Sequence, residues 1–282
     1  MGVASVLAPR VAERQAAAMF LTPRRRPVAH RRRHPRGARA VLMDAGGLAL
    51  HGWEWGLGPK PRVLLVHGWG GLASDLSTIA EALVERGFRV LAFDMPAHGR
   101  SSGRRTTLVE WVRALRAVEG WAGGLDAVVG HSFGTAALAL ALEEGLRARR
   151  AVLLAPSPGP LQALDQARRL MGLPEARVPG MIARLGAVVG REMDYFEPAR
   201  AARSVRVPAL VLHDPADAEV PFEAVERLAE AWRGSRLELL RGVGHRRILR
   251  EPAVAARAAT FIAEEAGDSE SPLAAQSAMS GR

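Results

Sequence analysis

Gly130-His131-Ser132-Phe133-Gly134 stands between a short apolar run, Asp126 to Val129, and an alanine- and leucine-rich stretch that reads as a helix from Phe133 to about Leu146. The spacing predicts a strand, a sharp turn and a helix, with Ser132 at the turn. Such a turn projects a serine hydroxyl clear of a sheet. It crowds the residues two before and two after the serine, so glycine belongs at both. A short motif by itself is weak evidence, and the strand–turn–helix context is what gives this one weight. A serine used as a nucleophile also needs a base within hydrogen-bond reach and a carboxylate that orients the base.

Working outward, the chain from residue 62 alternates short apolar runs with amphipathic stretches. Strands are predicted over Arg62–Val66, Arg89–Phe93, Ala151–Ala155, Ala209–His213 and Leu237–Leu240. Helices are predicted over Asp75–Arg86, Thr107–Val118, Phe222–Trp232 and Pro252–Glu264. Near-continuous apolar strands separated by helices predict a mostly parallel, doubly wound α/β sheet covered on both faces. Ahead of it, Ala40–Leu42 and Leu48–Trp55 flank Ala45-Gly46-Gly47 and read as an antiparallel hairpin at the sheet edge. The core therefore runs over 40–156 and 207–265. Between them, 157–206 is too long for a plain loop and predicts a helical cap, with helices near Leu161–Met171, Met181–Val189 and Pro198–Ser204. The tail, 266–282, is small, polar and aperiodic and is expected to be disordered.

Two further loops fall at strand ends, an acidic one and then one bearing a histidine, in the order serine, acid, histidine in which such sheets carry serine chemistry. His213 ends a strand and leads into Asp214-Pro215-Ala216-Asp217, with Glu219 close by. Leu237 to Arg241 leads into Gly242-Val243-Gly244-His245. Both lie at carboxyl ends of strands, where open α/β sheets build their sites. A fourth loop, Val66-His67-Gly68-Trp69-Gly70-Gly71, follows the first parallel strand. A backbone N–H of Trp69 there, paired with that of Phe133, would hold a developing oxyanion; the plainer reading is that these glycines only make a tight turn.

With these pieces on the page, the chain from about Gly47 to Glu265 resembles the α/β-hydrolase superfamily, in its serine-nucleophile, esterase-like branch. His67-Gly68-Trp69-Gly70 is similar to that family's oxyanion loop. Phe93-Asp94-Met95-Pro96-Ala97-His98-Gly99-Arg100-Ser101-Ser102-Gly103 is similar to its signature after the next strand. The resemblance implies Ser132 as nucleophile, His245 as base, Asp217 as acid, and the amides of Trp69 and Phe133 as oxyanion donors. Dehalogenases and epoxide hydrolases of this fold use an aspartate nucleophile, so Ser132 argues against both. The implied activity is hydrolysis of a carboxylester, thioester or lactone with a small-molecule, apolar acyl substrate. Carbon–carbon bond hydrolysis, cofactor-free perhydrolysis and a non-catalytic binding role on the same fold are its rivals.

Other conspicuous residues have quieter readings. His67 is expected to pack behind the oxyanion loop, His98, Arg100 and Ser101 to brace their own loop, and His213 to be a hydrogen-bonded core histidine. Leu161, Leu164, Met171, Met181, Leu185 and Val188 either pack the cap onto the body or line an acyl pocket. The histidines are not spaced as metal ligands and serine chemistry needs no cofactor, so neither is expected.

Composition closes off other classes. The 282 residues are 48% hydrophobic and 24% charged, enough for one sizeable core. No apolar run approaches the length of a membrane span. The absence of cysteine excludes disulfides, thiolate metal sites and cysteine nucleophiles. Met1 to Pro9 lacks the marks of a secretory signal, and the expected location is cytoplasmic. The net charge is +10, but eight arginines between Thr22 and Ala40, with no acid among them, account for all but two of those charges. Residues 1–39 thus read as an Arg-rich N-terminal arm outside the resemblance. With Lys60 the only lysine, the arginine bias looks compositional, and no nucleic-acid partner is expected.

Overall fold

Eight strands form one sheet: β1 (Ala38–Asp44), β2 (Ala49–Trp55), β3 (Arg62–Val66), β4 (Arg89–Phe93), β5 (Ala127–His131), β6 (Arg150–Leu154), β7 (Ala209–His213) and β8 (Ser235–Leu239). The computed structural model describes residues 34–170 and 172–264, together with 18, 20–24, 26 and 27. The predicted tail, Met171, and Arg25, Arg31, Arg32 and Arg33 of the arm lie outside the described residues. The strand order is β1-β2-β4-β3-β5-β6-β7-β8. β1 and β2 are antiparallel to each other and β2 to β4, while β3 to β8 run parallel. The fold is the expected mostly parallel α/β sheet.

Strand periodicity divides the central side chains between two cores. On β6, Ala151 and Leu153 face one core while Val152 and Leu154 face the other; on β7, Val211 and Leu212 divide the same way. The first core is covered by α2 (Leu108–Ala122), α3 (Phe133–Glu143) and α7 (Phe222–Ala231), and the second by α1 (Ser77–Glu85) and α9 (Pro252–Ala263). α2 begins where expected because Thr107 and Glu110 form a capping box. Its Leu108, Trp111, Val112, Leu115 and Val118 make one buried stripe at helical spacing. Among the described residues no helix is long and apolar enough to cross a membrane.

Between β6 and β7 the chain forms α4 (Pro160–Leu170), α5 (Val178–Val189) and α6 (Pro198–Ala202). Leu164, Met181 and Leu185 are buried in the first core, whereas Val188 is 57% exposed. The stripe therefore does pack these helices onto the body. Two polar ties add to it. Arg200 pairs with Glu143 at the end of α3 (Nη1 to Oε1, 2.8 Å), and the Tyr195 hydroxyl donates to Glu144 at 2.6 Å.

Several boundaries differ from the sequence reading, and two bear on the arm. β1 begins at Ala38, not Ala40, because Arg39 lies opposite Glu54 and pairs with its buried carboxylate. The arm is also not wholly separate. Leu21 is buried, Phe20 packs against the same core, and the His34 ring meets Trp53 edge-on at 4.6 Å. Phe20 and Leu21 stand just ahead of the arginine run, whose charge dominated the reading of the arm.

Candidate active site

The turn after β5 is strained in the way its motif requires. Ser132 has φ 50° and ψ −123°, a conformation that non-glycine residues seldom adopt and that must be held from outside. It is held by its neighbours. The Ser132 N–H donates to Leu154 O at 3.0 Å, and Ser132 O accepts from the Thr135 N–H at 2.8 Å and the Thr135 hydroxyl at 2.6 Å. The flanking glycines are there for room. A Cβ on Gly134 would stand 2.6 Å from both Val66 O and His67 O, and one on Gly130 would stand 3.0 Å from Thr135 N. A Cβ on Gly68 would come 2.9 Å from the Ser132 Cβ, so the loop after β3 lies directly against the serine.

His245 is the second residue of the one-turn helix α8 (Gly244–Arg247). Its Nε2 is 3.0 Å from Ser132 Oγ, and its Nδ1 is 2.8 Å from Asp217 Oδ2. The other oxygen of Asp217 accepts from the amides of Glu219 (2.7 Å) and Val220 (3.1 Å). Burial pushes the Asp217 carboxyl up, but the bonds from His245 and from these amides outweigh it and leave it below the usual carboxylate range. An ionised Asp217 can only accept, which places the proton on Nδ1 and leaves the Nε2 lone pair for the serine hydroxyl.

The two rival carboxylates are engaged elsewhere. Asp214 accepts from the amides of Gly244 (2.7 Å) and Ala216 (3.0 Å), and these amide bonds lower its carboxyl; it thereby ties the loop that carries His245. Glu219 is half exposed, pairs with Arg246 at 3.1 Å and lies 3.9 Å from His245 Nε2. His213 departs from expectation. Among the described residues neither of its buried ring nitrogens has a hydrogen-bond partner, Asp217 Oδ2 is 4.0 Å from Nδ1, and the ring stacks near Phe222. Burial lowers its pKa, so it packs as a neutral ring.

The loop after β3 is pinned peptide by peptide. His67 Nδ1–H donates to Gly68 O (2.7 Å) and its Nε2 accepts from the Met95 N–H (2.9 Å). The Gly71 N–H donates to the same Gly68 O at 3.0 Å. A trans peptide holds its C=O and N–H antiparallel, so fixing Gly68 O aims the Trp69 N–H the opposite way. Among the described residues neither the Trp69 N–H nor the Phe133 N–H is taken by a protein acceptor. His98 accepts from the Gly70 N–H (2.9 Å) and donates to Pro96 O (3.0 Å), so it braces this loop as well as its own. The Arg100 amide donates to Asp94 Oδ2 at 3.0 Å, and the Ser101 hydroxyl donates to Asp94 O while accepting from the His51 N–H.

A family model for the alpha/beta hydrolase family matches residues 63–258. The chain belongs to that family. Among relatives of this alpha/beta hydrolase, the non-heme haloperoxidase of Rhodococcus erythropolis is 25% identical, over 68% of this chain and 87% of that protein. A Pyrococcus furiosus esterase superimposes with a TM-score of 0.63 at 22% identity, covering 86% of this chain and 98% of the other. The ferulic-acid-bound Est1E of Butyrivibrio proteoclasticus gives 0.59 at 22% identity, covering 79% and 98%. At such identities the two structures attest the fold alone.

Three residues of this alpha/beta hydrolase site escaped sequence reasoning. Asp94 joins two loops, through the amides of Arg100 and, at 2.9 Å, Ala73; the sequence reading placed it only within the stretch that resembles the family's signature and gave it no role. Trp111 on α2 packs edge-on against Phe133 (5.0 Å), His67 (5.3 Å) and His98 (5.2 Å), backing the loop after β3. His131 donates from Nε2 to His245 O at 2.8 Å, joining the turn after β5 to the loop that carries His245. Burial holds its pKa at about 3 and that of His67 at about 4, so both rings are neutral.

Proposed function

We propose that this alpha/beta hydrolase cleaves ester-type bonds of small molecules, whether carboxylester, thioester or lactone, through an acyl-enzyme on Ser132. The observation that carries the reading is the continuous path from Ser132 Oγ through His245 to Asp217, at 3.0 and 2.8 Å. His245 Nε2 takes the serine proton as Oγ attacks the carbonyl carbon. Asp217 keeps the ring in the receptive tautomer and balances the imidazolium that forms. The negative oxygen is held by the N–H groups of Trp69 and Phe133, the second reinforced by the N-terminus of α3. The imidazolium then protonates the leaving alcohol or thiol. A water, deprotonated by the same nitrogen, attacks the acyl-enzyme and regenerates the serine.

The test is a panel of p-nitrophenyl esters graded by acyl length, run on the wild type and on Ser132→Ala. Turnover should fall by about three to six orders of magnitude in the variant, and a fluorophosphonate should label Ser132. Undiminished hydrolysis by Ser132→Ala defeats the mechanism. The haloperoxidase relative supports a second reading, in which hydrogen peroxide replaces water as the acceptor and the acyl group leaves as a peracid. Peracid formation in an acetate and peroxide mixture, lost in Ser132→Ala, distinguishes it.

A further inference from the structure

Arg26 belongs to the N-terminal arm, ahead of the segment the family model matches, yet it reaches the loop after β3. Its Nε donates to Gly70 O at 3.2 Å, and its two terminal nitrogens meet the Asp75 carboxylate at 3.2 and 3.0 Å. Asp75 in turn accepts from the Leu72 N–H at 3.0 Å, capping the turn that follows the loop. The arm is anchored nearby. Leu21 is buried and its carbonyl accepts from the Thr106 N–H at 2.9 Å.

The bond to Gly70 O has a consequence two peptides away. Gly70 C=O and Gly71 N–H share one planar trans peptide and point in opposite directions. Holding the carbonyl toward Arg26 therefore aims the Gly71 N–H at Gly68 O, which it meets at 3.0 Å. Gly68 C=O shares the next relevant peptide with the Trp69 N–H, and fixing one aims the other by the same rule. His98 secures the remaining side of Gly70 through its N–H, and Gly70 itself takes a left-handed φ of 70°. Glycines at 68, 70 and 71 give this loop little intrinsic stiffness, so its shape depends on such outside grips.

We propose that Arg26 is a positioning residue for the oxyanion hole, aligning the Trp69 N–H through the Gly70–Gly71 and Gly68–Trp69 peptides, and that the arm is thereby part of the working site. This rests on the serine-hydrolase reading above. Arginine suits the task because its planar fork serves a carbonyl and a carboxylate together, whereas a lysine ammonium lacks that fixed fork geometry.

The experiment compares wild type, Arg26→Gln, Arg26→Lys, Asp75→Asn and Ser132→Ala in the full chain. It reads kcat and KM on p-nitrophenyl butyrate, the affinity of an arylboronic acid that forms a tetrahedral anionic adduct on the serine, and thermal stability. Arg26→Gln should lower kcat by about tenfold, a part of what losing an oxyanion donor costs, with KM within about twofold. Boronate affinity should fall by the same factor as kcat, and Arg26→Lys and Asp75→Asn should lie between Gln and wild type. Should Arg26→Gln not fold, the lysine and Asp75 variants carry the same comparison. Unchanged kcat and boronate affinity in the variants that fold, with or without a drop in thermal stability, overturns the proposal. If Ser132→Ala is dead while the Arg26 series matches wild type, only this inference fails; if Ser132→Ala remains active, the serine-hydrolase reading fails.

Discussion

Replacing His131 by glutamine should make the fold markedly less sensitive to acid. The His131 ring is enclosed and spends its Nε2–H on the His245 carbonyl, and burial holds its pKa at about 3 against an ordinary 6.5. The His67 ring, also enclosed, is held at about 4. Because both folded values lie below the unfolded one, the unfolded chain binds protons first as the pH drops. The stabilisation is complete above 6.5 and is lost as the pH falls from there toward the folded values. By linkage each ring costs about 1.4 kcal/mol per pH unit inside that window, or about 2 kcal/mol between pH 8 and pH 5. Two such rings amount to about 4 kcal/mol, a large share of the roughly 5–15 kcal/mol that holds a typical domain together.

The assay is urea unfolding of wild type and His131→Gln at about pH 8, 6.5 and 5, in constant salt. Glutamine can still offer an N–H to the His245 carbonyl but cannot take up a proton. Whatever the substitution costs at the highest pH, the quantity read is the loss on acidification, and carboxylates common to both proteins cancel. The variant should lose about 2 kcal/mol less than wild type between the two extremes. Equal losses within about 0.5 kcal/mol would mean that His131 does not stay neutral in the fold, and the linkage argument would be refuted.

The remaining predictions concern the acid and the elbow. Asp217→Asn should cut kcat by about two to four orders of magnitude, since His245 loses its tautomer and counter-charge. Asp214→Asn should instead cost about 1–3 kcal/mol of stability through the Gly244 and Ala216 amides, with a far milder effect on rate; the reverse pattern in kinetics and urea melts would reassign the acid. Gly134→Ala should destabilise by at least about 2 kcal/mol, because its methyl meets two backbone carbonyls of the neighbouring loop. Gly120→Ala, with nothing among the described residues within 4 Å on the outside of α2, should instead stabilise by about 0.5–1 kcal/mol, and equal effects from the two substitutions would contradict the packing at the elbow.

Much of this molecule is written locally. Alternation of apolar residues sets the strands, because a strand sends successive side chains to opposite faces and both faces here are covered. The glycines at 130 and 134 announce the elbow, since any side chain there collides with backbone. The carboxyl ends of successive strands share one edge, so the order of the loops could place Ser132 and His245 beside an acidic loop, while the choice of Asp217 within that loop rested on the family resemblance. What the sequence leaves open are contacts between elements whose separation carries no periodic signal. His131 meets a carbonyl 114 residues away, and Arg26 meets one 44 residues away, both through side chains that sequence alone reads as ordinary. His213 was open in the same sense: only packing decides whether a buried ring finds a partner, and here Asp217 has turned to His245 instead. The arm shows why. A run of arginines reports charge, but whether one guanidinium grips a loop depends on where the tertiary structure leaves an unsatisfied carbonyl beside a carboxylate.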